Sequence, residues 1–520
     1  MIIEVTFDAS ASSAPPGFEA AVNDVVSLFD SIFTNPVTIN IDVGWGEVDG
    51  QSIGASELGE SLEQYTNGYG YNQILSAVNT TSLNDGDPIP ASVLTSNDPT
   101  AGGTIDPGTA GARALGLMSA TSFSVDGYIG LSSTPGTFTF DPSNPAVPGL
   151  YDAIAVIEHE LTEVMGRDAG LNPAYYSMQD LYRYSAPGSL DLGGSHADYF
   201  SIDKGVTSLA AFNTDPKGDL GDWASIGNDA FLAFLPSGVA DNLTTVDLLE
   251  MAAIGWSDIP AVLSSAFTDV LWTSPTSTLA TTPTLTLADG SSVPNPIFQD
   301  AQALPDLASQ VSGNQVSVQE ALTTIEQMAT ATSTVSTLTY EFFTGETPNA
   351  GGYAFLIDSP SNPTNLDSDY YAKFNIQNRF INFSVNLGKF GAGMVPFNDT
   401  YGSLSLSDAA TQAYTEIFGA APAAGKIDSI LNTDVTFGGV TETRAQYFAH
   451  YGGDGLTGLG TKAAMVGWLL EVAVQDDLGP YAHANDAFMT SLAMGNAEFN
   501  IDLLPAFGFT HQVPLVGASG

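Results

Sequence analysis

EHELTEVMGR, residues 158–167, is the stretch on which the reading of this chain turns. His159 and Glu160 open H-E-x-x-H, the helical pattern that puts two histidines on one zinc ion, but position 163 holds Glu163 where the second histidine belongs. Residues four apart on an α-helix stand one above the other on a single face. The spacing therefore predicts that His159 and Glu163 reach one ion together, with Glu160 beside them as a general base. A carboxylate is an acceptable zinc ligand, although it makes the site harder and more anionic than two imidazoles would. The same residues also fit a solvated acidic helix face on which His159 is merely packed or capping.

The flanking residues place the pattern on a helix. Asp152 is suited to N-cap it, Ile154, Ile157, Leu161, Val164 and Met165 give it a broad apolar face, and Gly166 or Gly170 can end it. Upstream, Phe18, Val22, Val25, Val26, Phe29 and Ile32 recur at helical spacing and lead into the alternating VTINIDVGWGEV, which reads as a strand. Residues 80–150 are rich in Gly, Pro, Thr, Ser and Asp and read as loops and edge strands, with YIGLSS and TFTF as short β runs. Downstream, TTVDLLEMAAIGW (244–256) is helical. Beyond it a Ser/Thr/Pro-rich stretch reads as a linker, with β character in TLTLADG. From about residue 316 the pattern is a succession of amphipathic helices, among them VSVQEALTTIEQM, SLSDAATQAYTEIFG and AAMVGWLLEVAVQ.

Composition excludes several functions. Eleven Lys and Arg stand against 58 Asp and Glu, a formal charge of -47, so nucleic acid and anionic bilayers are repelled. No apolar run is long enough to predict membrane insertion. Only 13% of residues are charged while 43% are hydrophobic, which suits folded domains rather than disorder, and the length suggests about two to four of them. With no cysteine, disulfides cannot contribute and stability must come from cores or bound ions. No basic, apolar leader opens the sequence; an acidic, Lys-poor, Cys-free chain of this kind resembles substrates of bacterial type I secretion, and the resemblance implies an uncleaved signal in the last residues, 501–520.

EHELTEVMGR, DLYRYSAPG (180–188), DYFSIDKGVTSLAAFNTDPKGDLGDWAS (198–225) and DLLEMAAIGW (247–256) together resemble a bacterial family of secreted metalloproteases. The resemblance implies an α+β zincin- or metzincin-like domain over residues 1–257, followed by the linker at 258–315. Two departures are plain: Glu163 replaces the second metzincin histidine, and Ala169 stands where the third is expected. A third ligand must come from elsewhere, and Asp180, in the family-like segment, is the expectation. Arg167 and Arg183 are placed to hold these carboxylates, or to make ordinary structural ion pairs. His196 reads as a surface histidine. Asn213, Asp215, Asp219 and Asp222, interleaved with glycines, suit calcium, or else a polar turn that caps itself.

TYEFFTGETPNAGGYAFLIDSPSNPTNLDSDYYAKFNIQNRFINFSVNLG (339–388), continuing through LSLSDAATQAYTEIFGAA, is similar to the N-terminal region of Caulobacter-type surface-layer proteins. It implies a mainly α-helical domain over 316–500 that anchors the protein to the O-antigen of outer-membrane lipopolysaccharide, on the surface layer of a Gram-negative bacterium. Tyr340, Phe342, Phe343, Tyr353, Tyr370, Tyr371, Phe374, Asn375, Asn378, Arg379 and Asn382 supply rings and neutral donors for sugar, or fill cores between helices. The two halves together imply a secreted, surface-anchored zinc endopeptidase acting on a protein substrate, another surface-layer protein among the options. The alternative is a non-catalytic surface-layer or adhesive protein on a degenerate protease scaffold.

Overall fold

The computed structural model describes residues 1–513 except Ala55, 85–88, Pro90, Pro173, Ser195, Ile226, Asn314 and Gly438. Residues 514–520, part of the expected secretion tail, lie outside the described residues. The chain divides into two compact units, each discontinuous in sequence. The first comprises Met1–Ala266, Leu304–Leu322 and Met494–Asn496; the second comprises Phe267–Ala303, Thr323–Ala493 and Ala497–Gly520.

The first unit is mixed α/β. Its main sheet contains β1 (Ile2–Phe7), β2 (Thr38–Trp45), β3 (Gly59–Glu63) and β4 (Gly127–Leu131) in the order β1-β2-β4-β3. The first three in that order run parallel, and β3 closes the edge antiparallel to β4, with Gly59 opposite Leu131. Alternation decides which face of β2 is buried: Ile39, Ile41 and Val43 are fully enclosed. Helix α1 (Phe18–Ile32) buries Phe18, Ala21, Val22, Val25 and Phe29, the stripe its periodicity predicts. The glycine-rich region at 80–150 is more ordered than its composition suggests. Helix α2 (Tyr71–Asn84) leads into it, it contains α3 (Gly108–Ala114), and YIGLSS supplies β4, an interior strand rather than an edge.

Helix α4 (Ala153–Val164) carries the opening pattern. Asp152 caps it by accepting from the Ile154 amide at 3.0 Å, and Gly166, at φ +100°, ends it in a conformation that favours glycine. Helix α5 (Thr245–Ala253) starts on a capping box between Thr244 and Asp247. Beyond α5, the Trp256 indole N–H donates to Met165 O at 2.9 Å and satisfies a carbonyl that the end of α4 would leave orphaned. The segment after α4 forms a second, antiparallel sheet from β5 (Arg183–Ala186), β6 (Ser189–Leu190), β7 (Tyr199–Phe200) and β8 (Ala210–Ala211), in the order β6-β5-β7-β8.

The stretch 258–315, expected as a linker, is instead largely structured. It holds α6 (Ile259–Leu271), α7 (Thr278–Thr281), a hairpin of β9 (Thr284–Thr286) and β10 (Ser292–Pro294), and α8 (Pro296–Ser312). Its polar residues make local structure: Ser277 caps α7, and the Asn295 amide donates to the carbonyls of Leu279 and Thr282, at 2.8 Å each. Helix α9 (Val318–Met328) follows.

The second unit is mostly helical: α10 (Ser333–Thr344), α11 (Ala350–Ile357), α12 (Asp369–Ala372), α13 (Ile376–Val385), α14 (Met394–Tyr401), α15 (Leu406–Phe418), α16 (Lys426–Asn432), α17 (Arg444–Gly452), α18 (Leu459–Asp476), α19 (Gly479–Ala493) and α20 (Leu503–Ala506), with one hairpin of β11 (Asp434–Phe437) and β12 (Val440–Thr443). α13 and α18 cross at close range because Gly467 offers no side chain. A Cβ there would lie 2.5 Å from Phe380 O and 2.7 Å from Ser384 Oγ. Among the described residues no helix is long and apolar enough to cross a membrane.

Candidate functional site

His159 faces inward from α4, and its two ring nitrogens have different neighbours. Nδ1 lies 2.8 Å from Ala230 O, and since a carbonyl can only accept, Nδ1 carries a proton and donates it. Nε2 then faces two carboxylate oxygens, Glu163 Oε1 at 3.3 Å and Asp222 Oδ1 at 3.4 Å. A lone pair cannot face two carboxylates without something positive between them: a second proton on the ring or a cation. The expected pairing of His159 with Glu163 one turn on is present. Glu163 uses its other oxygen to accept from Ser61 Oγ of β3 at 2.7 Å.

Asp222, not Asp180, stands beside His159. Asp180 lies on a short 3-10 turn at Gln179–Tyr182, where its Oδ2 accepts from the Leu171 and Ser177 amides at 2.8 and 3.0 Å. It staples the loop after α4, and burial holds its carboxyl up at about 6. Asp222 had been expected in a calcium set with Asn213, Asp215 and Asp219. In that loop Asn213 Oδ1 accepts from Asp215 N, Asp215 Oδ1 from Lys217 N and Asp219 Oδ1 from Gly221 N, each at 2.9–3.0 Å, the self-capping arrangement. Asp222 stays tied to this loop, its carbonyl accepting from the Asn213 amide at 2.7 Å, while its carboxylate turns toward α4.

Arg167 binds the cluster together. Its guanidinium is buried, with Nη1 2.7 Å from Asp222 Oδ1, Nη2 3.6 Å from Glu163 Oε1, Nε 3.1 Å from Thr162 Oγ1 and the Phe231 ring 4.1 Å from its central carbon. Arg183 serves elsewhere: it pairs with Asp198 at 3.8 Å and lies over the Phe212 ring at 3.6 Å. His196 is exposed and pairs with Asp191.

The electrostatics follow from this packing. Burial alone would depress the His159 imidazolium, but Asp222 and Glu163 outweigh it and hold the ring up at about 10. Burial likewise opposes the Glu163 carboxylate, yet His159 and Arg167 draw it down to about 2. Burial, reinforced by Glu163, pushes the Glu160 carboxyl well above its ordinary range. Glu160 lies against the backbone of β3 at Gly59, where a Cβ would stand 2.4 Å from its Oε1. The donor atoms of His159, Glu163 and Asp222 all lie within 4.8 Å of one another. One imidazole whose far nitrogen is already oriented, plus two carboxylates, is a donor set that fits a small divalent ion.

In the helical unit the aromatic residues divide into two groups. Tyr353 and Tyr371 are fully enclosed, Phe342 and Phe343 are buried, Asn375 caps α13, and Arg379 donates to the carbonyls of Leu366 and Ala331 at 2.8 and 3.1 Å. These build the core. Tyr370 and Phe374 remain half-exposed, with Lys373 Nζ 4.6 and 5.1 Å above their rings, and Asn382 is half-buried, accepting from the Tyr371 hydroxyl at 3.0 Å.

Residues 332–513 match the family model of the RsaA N-terminal domain. The match begins next to α10 and takes in every later helix of the unit. A domain of this type marks a secreted surface-layer protein of a Gram-negative bacterium. No curated protein matches the chain.

Proposed function

We propose that the chain is a surface-layer protein whose helical unit attaches it to the O-antigen of outer-membrane lipopolysaccharide. The observation that carries this reading is the match of residues 332–513 to the RsaA N-terminal domain. Net charge suits a neutral polysaccharide better than a phosphate-rich surface, since -47 repels anions. Sugar rings present apolar faces and hydroxyls, and Tyr370, Lys373 and Phe374 offer rings beside a cation on the outside of the unit. The test is retention of the purified protein on cells bearing O-antigen and on cells lacking it. Binding to the first and loss of at least about ten-fold with Tyr370→Ala plus Phe374→Ala is expected; equal binding to both cell types would refute the reading.

A second reading, a metal-dependent endopeptidase in the first unit, draws its support from the convergence of His159, Glu163 and Asp222. A divalent ion held there would supply Lewis-acid activation of a water and of a peptide carbonyl. A divalent ion would draw down the Glu160 carboxyl that burial and Glu163 raise, and Glu160 would then accept the water's proton; its place against Gly59 sets it beside β3, one of the two edge strands of the sheet. An extended peptide can add to such an edge through backbone hydrogen bonds. Metal analysis and casein cleavage, with Glu160→Gln as control, test it. Cleavage that is abolished in Glu160→Gln is expected; identical traces from the two proteins would leave the first unit a scaffold.

A further inference from the structure

The helical unit holds a second convergent cluster, built by the last described residues of the chain. His511 lies between two carboxylates, its Nδ1 2.5 Å from Glu416 Oε1 and its Nε2 2.9 Å from Asp502 Oδ1. Glu341 Oε1, from α10, approaches the same Nε2 to 3.9 Å. The donor atoms of Glu341, Asp502 and His511 lie within 4.8 Å of one another.

Two buried groups there have no hydrogen-bond partner among the described residues. Glu341 is completely enclosed, yet neither of its carboxylate oxygens receives a hydrogen bond of ordinary length, and the groups nearest it are the Leu503 amide and the Asp502 carboxyl. The Tyr481 hydroxyl, whose ring stands edge-on to His511 at 6.2 Å, is also buried without a partner. A buried carboxylate with no donor is costly unless a proton or a cation answers it.

We infer that this cluster is a site for a divalent transition-metal ion, zinc in the first instance, that fastens the C-terminal segment to the helical unit. Glu341, Asp502 and His511 Nε2 are the ligands. Glu416 is the outer carboxylate that takes the Nδ1 proton of His511, fixes its tautomer and turns Nε2 toward the ion. Ligands about 2.0–2.1 Å from a tetrahedral zinc stand roughly 3.3 Å apart. The observed separations of 2.9 and 3.9 Å bracket that value, so small side-chain shifts complete the site. The imidazole selects a borderline metal over calcium or magnesium, which take oxygen ligands. Glu416 also accepts from the Val513 amide at 2.5 Å, so the same carboxylate ties down the segment that carries the metal-binding imidazole.

The experiment uses the full chain carrying His159→Gln, which removes the imidazole of the first unit's centre. After chelation, Zn2+ alone is titrated and followed by calorimetry, while limited proteolysis reports on residues 497–513. One zinc per chain is expected. Binding should weaken at least about ten-fold with His511→Gln, with Glu341→Gln and, through the lost outer carboxylate, with Glu416→Gln. Zinc should also shield the segment from protease in the parent and not in the variants. Glu341→Gln keeps volume, and His511 sits at the edge of the core, so metal-free melting temperatures close to the parent's would show that the variants fold. A parent that binds no zinc, leaving His511 an imidazolium among acids, would overturn the inference. Zinc binding undiminished in both His511→Gln and Glu341→Gln would do the same.

Discussion

Replacing Arg167 by methionine tests whether the His159 cluster is held by one guanidinium. Arg167 Nη1 and Asp222 Oδ1 are 2.7 Å apart and both residues are buried. At an effective dielectric constant near 20 their attraction is about 6 kcal/mol before desolvation is counted. Methionine preserves the stem's packing on Phe231 but leaves Asp222 and Glu163 with the His159 imidazolium alone. Truncating one partner of a buried pair costs ~3–5 kcal/mol, because the survivor stays buried and uncompensated. The reasoning therefore requires that Arg167→Met and Asp222→Asn each lose about that much, and that the double variant lose less than the sum by at least ~2 kcal/mol. Arg167→Lys should fall between, since an ammonium cannot span Asp222, Thr162 and the His159 carbonyl as a planar fork does. Urea unfolding in the presence of chelator gives the free energies, and Trp223, fully enclosed next to Asp222, reports locally by fluorescence. An Arg167→Met loss under about 1 kcal/mol, or strict additivity in the double variant, would refute the account.

Trp256→Phe should cost ~1–3 kcal/mol, because the carbonyl of Met165 loses its donor inside a closed core; urea midpoints measure it. Gly467→Ala should destabilise the helical unit by ~1–3 kcal/mol in the same assay, since the added methyl meets the Phe380 backbone oxygen, which cannot swing aside, as well as Ser384 Oγ. Stability should also fall as pH rises from about 5 to about 8. Burial holds Asp168 and Glu250 up at about 8 and Asp241 at about 7, and raises Glu63 and Glu158 well above the ordinary range. The folded state thus binds more protons than the unfolded chain, whose carboxyls titrate near 4, so each unit of pH above that favours unfolding until the folded groups ionise too. Glu163, drawn down to about 2, acts in the opposite sense below pH 4.5, which puts the maximum in mildly acidic buffer. Calorimetry across pH 4–9 reads the curve, and a melting temperature that climbs steadily to pH 8 would contradict it.

What could be read from the sequence is what local physics fixes. The α4 helix, its Asp152 cap, its Gly166 stop and the His159–Glu163 pair all lie within one stretch where spacing dictates geometry. Asp222 could not be found that way. It reaches His159 through a self-capping loop that no periodicity registers. Asp180 shows the converse: its segment suggests a ligand, while in the fold two backbone amides bond its Oδ2. The 258–315 stretch looked like a linker because Ser, Thr, Pro and Asn also dominate flexible chains. Ser277 and Asn295 spend their polar groups on caps and turns that composition cannot reveal. The aromatic residues of 339–388 were split between core and surface only once the helices were in place, and the His511 cluster joins residues from α10, α15 and the chain's end, with no shared pattern to link them.

The discontinuity of the first unit has a consequence for the order in which this protein comes into being. The Val246 amide, at the start of α5, bonds to Met494 O at 3.2 Å, and the Asn496 side chain donates to Leu209 O. A ribosome delivers those partners long after α5. Stretching a closing loop from about 60 to about 240 residues adds only ~1.2 kcal/mol, so the finished protein tolerates the arrangement easily. A growing chain does not have that option: until residue 496 emerges, the first unit lacks its final clasp, however complete its sheet. Folding of the first unit is thereby tied to the synthesis of residues 494–496, and a fragment cut at residue 257 would lack that clasp for good.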